Sequence, residues 1–562
     1  MDVVSQSLAE CFAKTQELCG AVGASVVEVT SSRNNSLGLD VSRNGNQWKL
    51  TVVCDWPPLG SLPAVHLVDN EQLLAHVSCT GWVCVNDSEA LSIDLSRHAD
   101  TVAQTVVATL DLLEHSLDDI SQGYVEFFNE LEGYWSNLPE TILGKTAVEV
   151  DECSRVVSSY SETEDISSIP YFLEVSAKKP IEFPKEETCV HRAIYVALAS
   201  PVLPPAPKQS LTVDYLQKLA DGFDSSQQSL WNTLLGNSPE AERVALLVSM
   251  PRSAGGRSLI GFTFGVMNGQ PTPDSPIVNL LMVRHTVSHM RERGGADLRL
   301  GSRHVAVFGC GSVGSEVADA LATSGVGKLT LVDPQLFASD NVFRHALGPF
   351  WIGTPKARAL QATLLTRYPG VEVEAVADSA YRWLLSNTKT DVDGFVVALG
   401  MPTLERQLAR ALRQCHPSVP VVHTWLEPLD LGGHAILVNS SGRGCLDCLY
   451  RDDEGIDSLS CRTSYLEPGQ TLTRNLTGCA STFTPYGAIQ SRRTALLAAE
   501  QMLEALNGAE MPQYAYWTGT GAAAAAHGLR VTAWWRKAKS NNAPDMTRSM
   551  FGSGCKHCRA TT

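Results

Sequence analysis

Apolar and polar positions change rhythm three times along the chain. A helical spacing over Ser5–Cys19 opens it, and three short strand-like runs follow, ASVVEVTSS, SLGLDVSR and QWKLTVVCD. Next comes WPPLGSLPAVHLV, whose prolines predict a loop and exclude a central strand. Helical spacing returns at about Asp100–His115, so residues 1–140 predict a small α+β domain. Residues 141–290 hold the strand-like runs VHRAIYVALAS, RVALLVSM and SLIGFTFGV and an extended VLPPAPKQS, read as a connecting domain. From 291 to 562 strand and helix patterns alternate, the signature of an α/β fold with a parallel sheet covered on both faces.

Composition narrows the function. With 44% hydrophobic and 19% charged residues, the chain of 562 has ample material for globular cores. Its 44 Lys+Arg against 60 Asp+Glu leave a net charge of −16, which disfavours nucleic-acid and anionic-membrane partners. No basic–apolar leader opens the sequence, and no apolar run approaches the roughly 20 residues that span a bilayer. The expectation is a cytoplasmic protein. Its 15 cysteines then point to metal ligands, nucleophiles or core thiols more than to disulfides.

The chemistry concentrates in residues 304–356. Gly309, Gly311 and Gly314 form G-x-G-x-x-G after the apolar run VAVF and before a helical pattern. Such a turn lets the backbone approach phosphates and points helix N–H groups at them. Asp333 ends the next strand at the spacing where a carboxylate takes a ribose hydroxyl. These residues alone suit an NAD enzyme as well as an ATP enzyme. Asn341, Arg344 and Lys356 follow within the same stretch. Cations there match the charge that develops when an α-phosphate is attacked and pyrophosphate leaves.

Two C-x-x-C pairs, Cys445/Cys448 and Cys555/Cys558, have the spacing of thiolate knuckles for a structural Zn²⁺, with a redox role as the alternative. Cys479 lies after a Gly, ahead of Pro485, Gly487 and a strong helical pattern, where a thiolate nucleophile can be exposed; Cys461 competes with it.

The pattern GxGxxG, Asp333, Asn341-x-x-Arg344 and a downstream Lys356 resembles the adenylation fold of ubiquitin-activating-type (ThiF-type) enzymes. That resemblance implies a Rossmann-like domain over residues 291–562 that adenylates a protein C-terminus with ATP and Mg²⁺, commonly as a homodimer. It implies a zinc staple from the four cysteines and a thioester on Cys479. Arg284 and Arg291 are candidates for an arginine lent to a partner subunit. Many members hold Mg²⁺ with an Asp where this chain has Gly400, so no magnesium ligand is named. HVSCTGWVCVND resembles the active segment of ubiquitin-conjugating enzymes, with His76 in the His place, Gly81 in the Gly place and Cys84 as acceptor; Cys79 is the neighbouring alternative. The Pro and Asn that usually follow that His are missing. With NVFRHALG, WLEPLDLGGHAILV and EFFNELEGYW, the chain resembles the fused conjugating–activating enzymes of bacterial antiviral operons of the CBASS type. The implied cargo is a cyclic-nucleotide synthase (CD-NTase), joined to target amines to prime antiviral signalling. The alternatives are an activating enzyme for a sulfur carrier or ubiquitin-like protein without transfer, and an NAD-dependent oxidoreductase.

Overall fold

The computed structural model describes residues 3–31, 35–54, 62–85, 92–163, 165, 168–174, 189–272, 276–440, 442, 444–451, 456–471, 473–475, 482–540, 551 and 555–558. The chain divides into two compact units, Met1–Thr286 and Val287–Thr562.

In the first unit α1 (Val3–Ala21) precedes an antiparallel sheet of β1 (Ser25–Val29), β2 (Ser36–Arg43), β3 (Asn46–Val53), β4 (Ala64–Leu67) and β5 (Trp82–Val83), in that order. α2 (His98–Ser121) turns Val102, Val106, Leu110 and Leu113 into a core with Cys11, Cys19, Leu39 and Leu50. Their spacing of three and four is the helical stripe the sequence shows. One expectation is corrected. The end of the proline segment is an interior strand, because β4 pairs with β3 on one side and β5 on the other. Pro63, the last proline, stands before the strand and interrupts no ladder.

Two short helices, α3 (Val125–Asn129) and α4 (Leu131–Ser136), lead into a second sheet. Its strands are β6 (Ile142–Thr146), β7 (Arg155–Ser161), β8 (Tyr171–Glu174), β9 (Cys189–Ala197), β10 (Glu242–Pro251), β11 (Arg257–Met267), β12 (Gln270–Pro271) and β13 (Val278–Arg284). Pairing of β10 with β11 closes the run β10-β9-β7-β8-β6-β13-β11 into a barrel. Along β10, Ala245 and Leu247 pack with Phe172, Tyr195 and Leu280. The alternating Val244, Leu246 and Val248 pack with Leu216 of α5 (Val213–Asp221) and Trp231 of α6 (Ser225–Leu235). Both faces of the strand are covered, which is why RVALLVSM reads as one unbroken apolar run.

The second unit starts with α7 (Val287–Arg293). Its sheet has the order β16-β15-β14-β17-β18-β19-β22. β14 (His304–Phe308), β15 (Lys328–Val332), β16 (Glu372–Val376), β17 (Gly394–Val397) and β18 (Pro420–Leu426) are parallel, whereas β19 (Gly432–Asn439) runs antiparallel to both of its neighbours, β18 and β22 (Gln513–Thr518). A small pair, β20 (Arg474–Asn475) with β21 (Thr482–Phe483), stands apart. On one face α10 (Ala380–Ser386) and α11 (Pro402–Cys415) bury Trp383, Leu384, Leu408 and Leu412 against Ala306 and Phe308. On the other, α8 (Gly314–Thr323), α9 (Lys356–Arg367) and α12 (Ala488–Leu506) bury Val317, Leu360 and Met502 against Val305 and Val307. This is a Rossmann-type, parallel-rich α/β sheet. After β14 the chain builds to one side through β15 and β16, then crosses to β17, so a crevice opens beyond the carboxyl ends of β14 and β17. Among the described residues, no helix is long and apolar enough to cross a membrane.

Candidate functional site

The glycine turn sits at that crevice. Gly309 follows β14 with φ of 91°, a left-handed backbone that favours glycine. At Gly314, the first residue of α8, a Cβ would lie 1.8 Å from the Gly309 carbonyl oxygen. Helix and turn thus touch through bare backbone. Gly311 differs: a Cβ there would meet nothing within 4 Å, and the residue lines a cavity of about 820 Å³. Gly309 and Gly314 close the turn; Gly311 is the open approach that a phosphate needs.

Asn341, Arg344 and Lys356 line the same cavity, as does Gln335, which the sequence reading did not single out. Lys356 is buried, and its Nζ donates to Gln335 Oε1 at 2.7 Å. Burial pushes its pKa below the usual lysine value, while the neighbouring Asp333 pulls it back up. The Arg344 guanidinium lies 4.7 Å over the ring of Tyr486, a contact worth about 0.5–1 kcal/mol that holds it in place. Tyr486 in turn shares a hydrogen bond of 2.8 Å with Ser312 in the glycine turn. Asn341 accepts the Ala338 N–H through Oδ1 at 3.2 Å.

Asp333 is buried, and each carboxylate oxygen already accepts a backbone N–H, from Cys310 and Gln335, both at 2.7 Å. It braces the glycine turn from beneath. His345 does the same from the other side. Leu347 N–H donates to its Nδ1, so the proton sits on Nε2 and is donated to the Cys310 carbonyl at 2.7 Å. Burial depresses its pKa to about 4, so the ring is neutral.

The far wall holds Gly400, Glu405, Trp425, Glu427 and Cys461. Gly400 has φ of 65° and open space where a Cβ would go. Its N–H and that of Leu399 donate to Glu405 Oε1 at 2.8 and 3.1 Å. Burial pushes the Glu405 carboxyl up to about 7, against the backbone N–H groups of Gly400, Met401 and Leu399. Glu427 accepts from Tyr465 N–H and meets His434 Nε2. Burial raises the Cys461 thiol to about 11, and its Sγ lies 3.1 Å from Thr463 Oγ1, the surroundings of an unreactive thiol. Cys479, the other candidate, lies outside the described residues.

Cys445, Cys448, Cys555 and Cys558 come together from positions far apart in the chain. Their Sγ atoms lie within 4.8 Å of one another, with near pairs at 3.4, 3.8 and 3.9 Å. A tetrahedron of Zn–S bonds of about 2.3 Å has S···S edges of about 3.8 Å, so four thiolates in this arrangement fit Zn²⁺. Buried Asp447, between the first two cysteines, accepts from Arg406 (2.7 Å) and Arg410 (2.8 and 2.9 Å) of α11. The knuckle is thereby tied to the helix that carries Glu405.

In the first unit, Cys84 follows β5, and its N–H donates to the His76 carbonyl at 2.8 Å. Cys79 donates its thiol to the Asn137 carbonyl, and burial raises its pKa. Arg284 is engaged by Glu132 and the Arg257 carbonyl, and Arg291 donates to the Gly370 carbonyl at 3.2 Å.

Residues 285–534 match the ThiF family, so the second unit is a ThiF-family domain. The chain is 28% identical over 219 residues to the ATP-dependent ubiquitin transferase-like protein Cap2 of Pseudomonas aeruginosa, covering 38% of each chain. It is 27% identical over 241 residues to Cap2 of Escherichia coli, covering 41% of this chain and 38% of that protein. The chain thus matches less than two fifths of these relatives' own length. A crystal structure of E. coli MccB with ATP aligns at 18% identity and a TM-score of 0.32, covering 46% of this chain and 67% of that one. The matches agree with the motifs: residues 285–534 fit the ThiF family, and the chain is similar to proteins named ATP-dependent ubiquitin transferase-like protein Cap2.

Proposed function

We propose that the chain activates the C-terminal carboxylate of a protein cargo with ATP and passes it, as a thioester, toward an amine acceptor. One observation carries this reading: Gly311, Asn341, Arg344 and Lys356 face a single cavity at the mouth of the parallel sheet. A nicotinamide site needs no such pair of cations, whereas a departing pyrophosphate does.

ATP lies over Gly309–Gly314 with its phosphates at the start of α8. A carboxylate oxygen of the cargo attacks the α-phosphorus, the bond to the bridging oxygen breaks, and pyrophosphate leaves an acyl-adenylate. Arg344 and Lys356 meet the charge that develops. Asp333, each of whose oxygens accepts one backbone N–H, keeps the turn in shape and retains lone pairs for a ribose hydroxyl. Position 400 offers no carboxylate for Mg²⁺, so no step is routed through that ion. The Cys479 thiolate then displaces AMP, and Cys84 takes the acyl group by thioester exchange. A lysine amine attacks last and forms an amide. Residues 1–140 serve as the conjugating-like part, supported by α1, the five-stranded sheet and Cys84 just beyond β5. The middle barrel connects it to the adenylation domain. Zn²⁺ on the four cysteines would staple the C-terminal segment to α11. Following the resemblance, the cargo is a CD-NTase and its conjugation primes antiviral signalling; the enzyme works in the cytoplasm as a homodimer.

ATP–pyrophosphate exchange with a CD-NTase offered as cargo tests the central claim. Exchange that depends on that cargo and falls at least about 100-fold in Lys356→Ala is the expected result. No exchange with any cargo, together with binding of a nicotinamide cofactor, refutes it.

A further inference from the structure

The first unit contains a second cluster of titratable side chains that the relay described above does not use. The carboxylate of Glu126, on α3, is shared by two imidazoles. His76 Nε2 lies 2.8 Å from Oε1, and His115 Nε2 lies 2.5 Å from Oε2. An ionised carboxylate only accepts, so each ring donates its Nε2–H, and Nδ1 is the atom that carries the lone pair of the neutral ring. These hydrogen bonds, His76 first, hold the Glu126 carboxyl below its usual pKa.

Several contacts hold the cluster rigid. Buried Asp119 accepts the N–H of Glu126 (2.8 Å) on one oxygen and that of Phe127 (3.0 Å) on the other, fixing the start of α3. Buried Ser116 donates to the carbonyl of Ala75 at 2.9 Å, fixing the residue before His76. His115, Ser116 and Asp119 all belong to α2, so one helix aligns both halves of the pair. His76 itself has φ of 60°, a conformation uncommon for a residue with a side chain and often found where function requires it.

Cys84 stands opposite this pair. The antiparallel bridge Val77↔Val83 places His76 across from Cys84, and the Cys84 N–H donates to the His76 carbonyl at 2.8 Å. Val77 and Val83 are buried, while His76 and Cys84, joined by that backbone hydrogen bond, are both partly exposed.

We propose that His76 is the general base for acyl transfer from Cys84, with Glu126 as its positioning residue and His115 buttressing Glu126. This rests on the reading of Cys84 as the acyl-carrying thiol. The step is an aminolysis. His76 Nδ1 takes a proton from the lysine ammonium, and the freed amine nitrogen forms a bond to the thioester carbonyl carbon. The C–S bond then breaks, the Cys84 thiolate departs and takes the remaining extra proton from the new amide nitrogen, and His76 returns its proton to solvent. The products are an amide and a free thiol, and no other reactant is needed.

The test bypasses the unknown cargo. A fluorescent peptide α-thioester ending in glycine is exchanged onto the full chain, and release of the label is followed with free lysine or with hydroxylamine. Lysine is protonated at pH 7 and needs a base; hydroxylamine is already neutral. His76→Gln is expected to keep loading but slow lysine discharge by about 100-fold, with hydroxylamine discharge within about twofold of wild type. Glu126→Gln should slow lysine discharge by about tenfold with the same selectivity. Equal slowing of both nucleophiles would reduce the cluster to a structural brace and overturn the inference, as would unchanged lysine discharge in both variants. His115→Gln, at the exposed edge, gives a variant with little risk to folding and should show the same selectivity in weaker form. If Cys84→Ala loads as much label as wild type, the reading of Cys84 fails instead, a result separate from either outcome for His76.

Discussion

Adding one methyl group at Gly314 should damage the nucleotide site more than the fold. The new Cβ would sit 1.8 Å from the Gly309 carbonyl oxygen, where real Cβ contacts essentially never fall below 3.0 Å. The start of α8 and the glycine turn must therefore separate by more than about 1 Å, and a displacement of that size costs on the order of 100-fold in a reaction that depends on positioning. The turn has little freedom to yield, because Gly309 N–H donates to Val332 (2.9 Å) and Cys310 N–H to Asp333 (2.7 Å). Overpacking of this kind costs about 1–3 kcal/mol of stability, which a unit with two large apolar clusters can absorb. Gly311→Ala is the matched control, since its Cβ meets nothing within 4 Å and its stability should change by no more than about 0.5 kcal/mol. Calorimetric ATP titration alongside thermal unfolding separates the two variants. Gly314→Ala should melt lower and lose ATP affinity, whereas Gly311→Ala should melt as wild type yet bind ATP more weakly, because phosphates approach its bare backbone. ATP affinity within twofold of wild type for Gly311→Ala would refute the placement of phosphates over that residue.

Further outcomes follow from the cysteines and histidines. Cys461→Ala should leave a reductant-sensitive cargo adduct intact on denaturing gels, and Cys479→Ala should abolish it; the reverse pattern would reassign the nucleophile. Replacing Cys448 with Ser should release about one equivalent of Zn²⁺ per chain in metal analysis, while wild type loses none on gel filtration. Stability should fall with acid over a defined window. His345, with its folded pKa depressed to about 4 from an unfolded value of 6.5, contributes fully above pH 6.5 and loses that contribution as pH falls toward 4. The full loss is on the order of 3 kcal/mol. His423, depressed by burial in the same way, adds to it. Denaturant melts of the full chain between pH 7 and 4.5 should show the slope, and His345→Gln should flatten it.

Much of the second unit was legible in the chain itself. VAVF, the glycines and the strand ending at Asp333 lie within about 30 residues, where local pattern is reliable. Asn341, Arg344 and Lys356 could be read from their offsets because a short loop and one helix deliver them to the same cavity. Gln335 and Tyr486 went unread: Gln335 carries no motif, and Tyr486 reaches the glycine turn from far along the chain by folding alone. The barrel was not legible either. RVALLVSM and SLIGFTFGV read as strands, but strands buried on both faces lose the alternation that tells which face meets which neighbour.

The sequence by itself determined the class of the second unit and each C-x-x-C pair, because each depends on residues at fixed short offsets, whereas bringing the two pairs together took the fold. The tertiary structure decided what those offsets could not. It bound Asp333 to the glycine turn, where each carboxylate oxygen accepts one backbone N–H. It enclosed much of Cys461, and burial, which disfavours the charged form, pushes that thiol up to about 11. It also set His76, Glu126 and His115 side by side from three separate elements, an arrangement that only packing of α2 and α3 against the strand pair can create.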